Sequence, residues 1–107
     1  DALARRFAAA GVDDARPVLV CGDGGAGWGE EARVAWTLDV LGKNDVRVLD
    51  GGCTAWRDAG HAWSVGPSFA VAPGTFTARP RFHARATKAD VRRALAHTGV
   101  VVLDVRS

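Results

Sequence analysis

The chain has 107 residues, of which 48% are hydrophobic, and 14 basic residues against 12 acidic ones give a net charge of +2. This length favours one domain, and the balanced charge argues against nucleic acid as a partner. Apolar runs fall well short of the ~18 residues that a transmembrane helix needs, so we expect no membrane partner.

The chain has two cysteines, Cys21 and Cys53. Small secreted scaffolds held together by disulfides carry a higher density of cysteine. We therefore expect two free thiols in a cytoplasmic protein.

The first predicted elements are a helix over residues 2–10 and a strand over residues 17–21. Asp1 is suited to cap the start of the helix and Gly11 to end it. The apolar face of the helix is expected to hold Leu3, Phe7 and Ala10. The strand is continuously apolar rather than alternating, which predicts burial on both faces in a parallel sheet.

A glycine-rich loop over residues 22–29 precedes a predicted helix over residues 30–41. Two glutamates stand in the first turn of that helix, where negative charge suits the helix dipole. Its predicted core stripe consists of Val34, Leu38 and Leu41. A second strand over 46–49 and a short helix over 54–59 come next, and Trp36 and Trp56 are expected in the core. Strands that alternate with helices predict an α/β fold with parallel crossovers.

The rest of the chain has two parts. Residues 67–86 contain three of the four prolines and are predicted to be a linker, with residues 75–78 as a candidate edge strand. A new unit starts at Thr87, whose spacing to Asp90 resembles a capping box, and residues 100–105 are predicted to be a buried strand. Because these strands lack neighbours, we expect exposed apolar surface and marginal stability.

The glycine loop permits a first functional hypothesis, dinucleotide binding. Gly22, Gly24 and Gly27 fit the G-x-G-x-x-G pattern, and Asp50 ends the next strand, where an acidic residue would hold a ribose hydroxyl. The two glutamates that start the next helix would repel a pyrophosphate, which counts against this hypothesis.

A second hypothesis comes from resemblance. The run VLVCGDGG, followed by EEARVAWTLDVLGKNDVRVLDGGCTAWRDAGH, resembles the C-terminal half of a rhodanese domain. The segment 33–36 is similar to the first domain of two-domain thiosulfate sulfurtransferases, and VVVLDVRS is similar to the opening strand of a second rhodanese domain. The resemblance implies a partial, incomplete rhodanese-like parallel sheet with flanking helices. It assigns residues 1–66 to the end of a first domain, 67–86 to an interdomain linker and 87–107 to the start of a second domain.

The resemblance implies transfer of sulfane sulfur from thiosulfate or 3-mercaptopyruvate to a thiophilic acceptor through a cysteine persulfide. It places the nucleophile at the first residue of the loop, which is Gly22 here, so this chain is expected to lack the catalytic cysteine. Cys21 stands one residue earlier, and its side chain is expected to point to the opposite face of the strand. We expect Cys21 to be a buried structural thiol and keep a shifted nucleophile as the alternative, whereas Cys53 is expected to be a packing residue.

The expected partners are a small anionic sulfur donor in the full-length protein and the missing second rhodanese domain. No cofactor is expected, and the scattered histidines and cysteines show no metal-ligand spacing. Three functions thus stay open: a sulfurtransferase represented by its non-catalytic part, a docking or regulatory module, and a dinucleotide-binding unit.

Overall fold

The computed structural model describes residues 1–23, 29–67 and 71–105. In chain order the helices and strands are α1 (Ala2–Ala9), β1 (Val18–Val20), α2 (Glu30–Val40), β2 (Val46–Val48), α3 (Gly52–Asp58), a 3₁₀ turn (Phe82–Ala84) and α4 (Lys88–Leu95). The predicted order of elements is confirmed through α3, which begins two residues earlier than predicted. No helix in the described ranges is long and apolar enough to cross a membrane.

The two strands pair in parallel, with Val18 opposite Val46 and Val20 opposite Val48. Helix α2 connects them, which confirms the predicted α/β class with a parallel sheet and flanking helices. Because parallel strands run in the same direction, the residues after β1 and those after β2 meet at one edge of the sheet.

The predicted helix starts are confirmed by their caps. The Asp1 carboxylate accepts hydrogen bonds from the backbone N–H groups of Leu3 (2.8 Å) and Ala4 (3.2 Å). At α4 the Thr87 side chain accepts from the N–H of Asp90, and the Asp90 carboxylate accepts from the N–H of Thr87 at 2.8 Å. Each cap satisfies backbone donors that the first turn of a helix leaves without partners.

A small core lies between α1, α2 and the sheet. Its buried members are Ala4, Leu38, Leu41 and Phe76. The predicted core stripe of α2 is thus confirmed at two of its three positions, whereas Val34 is exposed. The predicted face of α1 is wrong at Leu3 and Ala10, which are both exposed. Ala4 is the buried residue of the helix, and Phe7 packs against the core as predicted.

The segment 75–81, within the predicted linker, packs along the C-terminal end of α2. The N–H of Arg79 donates to the carbonyl of Leu41, and the N–H of Arg81 donates to the carbonyl of Val40, both at 2.8 Å. Carbonyls at the end of a helix have no partner within it, so this segment satisfies groups that would otherwise need water.

The candidate edge strand over residues 75–78 is wrong, because the structure assigns no strand there. Its polar groups bind the turn after α1 instead of a neighbouring strand. The N–H of Asp14 donates to the carbonyl of Thr75 at 2.8 Å, and the N–H of Thr77 donates to the Asp14 carboxylate at 3.3 Å. These bonds tie the segment to the turn.

Two further expectations about strands are wrong. Strand β1 is covered on one face only, since Leu19 is 59% exposed while Val18 and Val20 pack against the core. Residues 100–105 are not assigned as a strand, and Leu103 is 79% exposed. A strand needs a neighbour to satisfy its backbone groups, and none pairs with this stretch within the described part of the chain.

The tryptophans also differ from expectation. Trp36 is 49% exposed and Trp56 is 37% exposed, so neither is a core residue. Each indole Nε1–H donates at 3.0 Å to a carbonyl, that of Ala84 for Trp36 and that of Ala62 for Trp56. The polar edge of each ring finds a backbone partner at the surface, as amphipathic side chains commonly do.

The predicted exposure of apolar surface is confirmed, since large apolar side chains such as Leu19, Val101 and Leu103 are at least 59% exposed. The accessible area is 8574 Å², about 1.5 times the roughly 5,700 Å² expected of a folded monomer of 11.2 kDa. The radius of gyration is 17.0 Å, against about 13 Å for a compact domain of this length.

The buried position of Phe76 yields a test of the packed segment. Phe76→Ala should lower the free energy of unfolding by about 3 kcal/mol, because it empties a core position. Phe82→Ala is the matched control, since Phe82 is 82% exposed and its loss should change stability by less than about 0.5 kcal/mol. Urea denaturation followed by circular dichroism measures both. Equal effects of the two substitutions would show that the segment does not pack as described.

The hydrogen bonds that the Asp13 carboxylate accepts make the stability of the fold sensitive to acid. Its carboxylate accepts hydrogen bonds from the N–H of Ala15 (2.9 Å) and from the hydroxyl of Thr75 (3.1 Å). These bonds, the one from the Ala15 backbone first, hold the pKa of Asp13 below its ordinary value. A folded-state pKa below the unfolded one stabilises the fold above about pH 4, and this contribution is lost as the pH falls through the folded-state pKa.

We therefore expect the stability difference between the wild type and Asp13→Asn to be constant from about pH 7 to 5 and to shrink below about pH 4. Urea titrations at several pH values measure it. Thr75→Val, which removes one donor to Asp13, should show a smaller pH-dependent part. A difference that stays constant down to about pH 3 would contradict this assignment.

Candidate functional site

The candidate site lies at the edge of the sheet where β1 and β2 end. The N–H of Cys53 donates to the carbonyl of Gly22 at 2.7 Å, and the hydroxyl of Thr54 donates to the carbonyl of Asp23 at 3.1 Å. The first residues of the glycine loop are therefore held against the start of α3.

Gly22, the predicted nucleophile position, faces a carboxylate. A Cβ atom placed on Gly22 would lie 2.9 Å from Cδ and 3.2 Å from Cβ of Glu31, so the Glu31 side chain would have to shift to admit it. The Oε2 atom of Glu31 is buried and has no hydrogen-bond partner in the part of the chain that the structure describes. The space that a nucleophilic side chain would need is thus occupied by a negatively charged group.

The expectation of two free thiols is wrong, because Cys21 and Cys53 form a disulfide with their Cα atoms 5.9 Å apart. That separation lies in the range disulfides require. Cys21 is also exposed rather than buried, and Cys53 is half-buried. The physical reason is topological: Cys21 directly follows β1, and Cys53 lies in the first turn of the helix after β2, so both stand at the same sheet edge.

The side of the sheet away from α2 carries a small apolar cleft of about 180 Å³. Its lining residues are Leu19, Cys21, Leu49, Trp56 and Trp63. Arg57 lies over the Trp63 ring, 5.6 Å from its centre, at a distance that allows a cation–π contact. Cys21 thus lines the cleft on the face opposite the core, as the alternation of strand side chains predicts.

The described part of the structure gives no geometric support to the dinucleotide hypothesis. Gly24 and Gly27 lie outside the described residues, and Asp50 is exposed. The Glu31 carboxylate against Gly22 would repel a pyrophosphate at this point. Within residues 1–23, 29–67 and 71–105, no three His, Cys, Asp or Glu side chains are grouped so that they could hold a metal ion.

A parallel β-α-β unit with a glycine loop after its first strand and a Gly-Gly helix start after its second defines the class of fold. The family model of the rhodanese-like domain matches residues 1–59, and the chain belongs to that family. The membership of the rhodanese family that the resemblance implied is thereby confirmed.

The chain is similar to a curated protein of Pseudomonas aeruginosa (strain PAO1) named "Probable 3-mercaptopyruvate sulfurtransferase". The two are 35% identical over 106 residues, which cover 98% of this chain and 36% of that protein. The chain therefore spans about a third of the length of this relative. No solved structure matches the chain.

Sequence reasoning missed two features of the site. The pairing of Cys21 with Cys53 could in principle have been predicted, because residues that come after adjacent parallel strands meet at one edge. The contact of Glu31 with Gly22 could not, because no helix or strand period relates two residues nine positions apart across a loop. The sequence pattern indicated Glu31 only as a charge at the start of a helix.

The buried carboxylate oxygen yields a prediction for stability. Glu31→Ala should raise the free energy of unfolding by about 1 kcal/mol, because the cost of burying an unpaired polar atom, about 1–3 kcal/mol, exceeds the helix-dipole contribution of ~0.3–1 kcal/mol. Glu30→Ala, one position earlier in the same turn, is the control and should lower stability by a few tenths of a kcal/mol. Urea denaturation of both variants measures these changes in stability. A Glu31→Ala chain less stable than the wild type would refute the conclusion that burial of the Glu31 oxygen costs stability.

Proposed function

We propose that this chain is the non-catalytic part of a sulfurtransferase that moves sulfane sulfur through a cysteine persulfide. One observation carries the proposal: the position at which the family resemblance places the nucleophile is a glycine, and the carboxylate of Glu31 occupies the space beside it. Membership of the rhodanese-like family supports the type of chemistry.

The chemical requirements of the reaction argue against turnover at this loop. Persulfide formation needs an accessible thiolate, and an anionic donor needs backbone N–H groups or positive charge to bind. Gly22 has no sulfur, and Glu31 places negative charge where the donor would approach. The sulfur of Cys21, the alternative nucleophile, is bonded to Cys53. We therefore place the reacting cysteine in a second rhodanese-like domain.

For the sulfur donor we propose 3-mercaptopyruvate, with thiosulfate as the alternative. The support is the name of the P. aeruginosa relative, which is similar to this chain along nearly all of its length. Both donors are small anions, so the second domain would need the anion-binding loop that Glu31 obstructs here.

A docking role for this part of the protein is supported by its exposed apolar surface. Leu19, Leu49, Trp56 and Trp63 leave an uncharged cleft on one face of the sheet, and the excess of accessible area indicates that large apolar surfaces are uncovered. We propose that the second rhodanese-like domain covers part of this surface.

Activity assays test the proposal directly. The chain is incubated with cyanide and either thiosulfate or 3-mercaptopyruvate, and thiocyanate is measured, with a sulfurtransferase of known activity as positive control. We expect no turnover above the rate without protein, with or without prior reduction of the disulfide. Turnover that disappears in Cys21→Ala would overturn the proposal and identify Cys21 as the nucleophile.

A further inference from the structure

We propose that the Cys21–Cys53 pair is a reversible thiol–disulfide exchange site, at which Cys21 is the sulfur that external thiols attack. This goes beyond the proposed function, because it needs neither a persulfide nor a reaction at Gly22. It concerns two cysteines that the sulfur-transfer scheme leaves without a role.

The first argument is that the fold itself brings the two cysteines together. They are separated by 32 residues in sequence, yet their Cα atoms lie 5.9 Å apart. The parallel pairing of β1 and β2 and the hydrogen bond from the Cys53 N–H to the Gly22 carbonyl maintain this proximity. A folded chain with this geometry should form the disulfide far more readily than an unfolded one, in which the same cysteines are separated by a long flexible loop.

The second argument is that the disulfide is accessible from one side. Cys21 is exposed and lines the cleft on the open face of the sheet, whereas Cys53 is half-buried in the first turn of α3. Exposed disulfides are among the labile ones that exchange with thiols, whereas structural disulfides in secreted proteins resist reduction. An incoming thiol therefore reaches the Cys21 sulfur through the cleft beside Leu19 and Leu49.

The exchange takes place in two balanced steps. A thiolate attacks Sγ of Cys21, the bond between the two cysteine sulfurs breaks, and Cys53 leaves as a thiolate that takes a proton from water. A second external thiolate then attacks the mixed disulfide and releases Cys21 as a thiolate. Two external thiols are oxidised to one disulfide while the protein disulfide is reduced, and a small-molecule disulfide reverses both steps.

The test uses the wild-type chain and glutathione as the probe. The chain is equilibrated in mixtures of glutathione and its disulfide at neutral pH, quenched with acid and alkylated, and the oxidised fraction is read by intact mass. We compare the ratio of the glutathione disulfide concentration to the square of the glutathione concentration at which half of the chain is oxidised. We expect this ratio to be at least about tenfold lower in native buffer than in concentrated urea. Equal ratios in the two solvents, or no intramolecular disulfide in native buffer, would overturn the proposal.

Two single variants identify the attacked sulfur. Cys53→Ser leaves only Cys21, and Cys21→Ser leaves only Cys53. In native buffer, Cys21 should form a mixed disulfide with glutathione disulfide at least about fivefold faster than Cys53, because it is the more exposed thiol. In urea the two rates should agree, which provides the control for intrinsic reactivity. The comparison is made on variants whose circular dichroism spectra match that of the wild type. Equal rates in these folded variants would refute the role of Cys21 as the exchanging sulfur, and the wild-type titration decides independently whether the pair is a site.

Discussion

The parallel pairing of β1 with β2 is the constraint on which the other features of this chain depend. Because both strands run in the same direction, their carboxyl ends deliver the next residues of the chain to one edge of the sheet. The glycine loop and the first turn of α3 therefore meet there, and a hydrogen bond of 2.7 Å joins them. The disulfide, the obstructed glycine and the apolar cleft all result from this one arrangement.

The edge of the sheet contains two sulfur atoms and one carboxylate. They lie on opposite sides of the sheet, so the carboxylate affects reactions on one side and the sulfur atoms affect reactions on the other. On the α2 side, Glu31 fills the space beside Gly22. On the opposite side, Cys21 faces a cleft lined by uncharged side chains. The alternation of side chains along a strand separates the two sides, so a shift of one residue between Cys21 and Gly22 moves the sulfur from the loop side to the open side. A single position in the sequence thereby decides which reactions the edge can support.

The elements of the first sixty residues and the start of α4 were predictable from sequence because local signals specify them. The apolar stripe of α2 and the caps at Asp1 and Thr87 depend on residues a few positions apart. The features that escaped prediction depend on partners distant in the chain. Leu19 is exposed because no element among the described residues covers that face of β1, which an apolar run does not reveal. The contact of Glu31 with Gly22 likewise joins two residues that no helix or strand period relates.

The attachment of residues 75–81 to α2 determines how freely the remainder of the chain moves. Arg81 forms an ion pair with Asp39 and a hydrogen bond with Asn44, and the carbonyl of Ala84 accepts from the Trp36 indole. The unattached stretch before α4 is therefore far shorter than the whole segment 67–86 would be if it were free. A short tether confines the element attached to its far end to a small volume, which raises the effective concentration of that element at the neighbouring surface. The chain thus keeps α4 close to α2 because residues 75–81 are bound there, and not through an extensive interface of α4 itself.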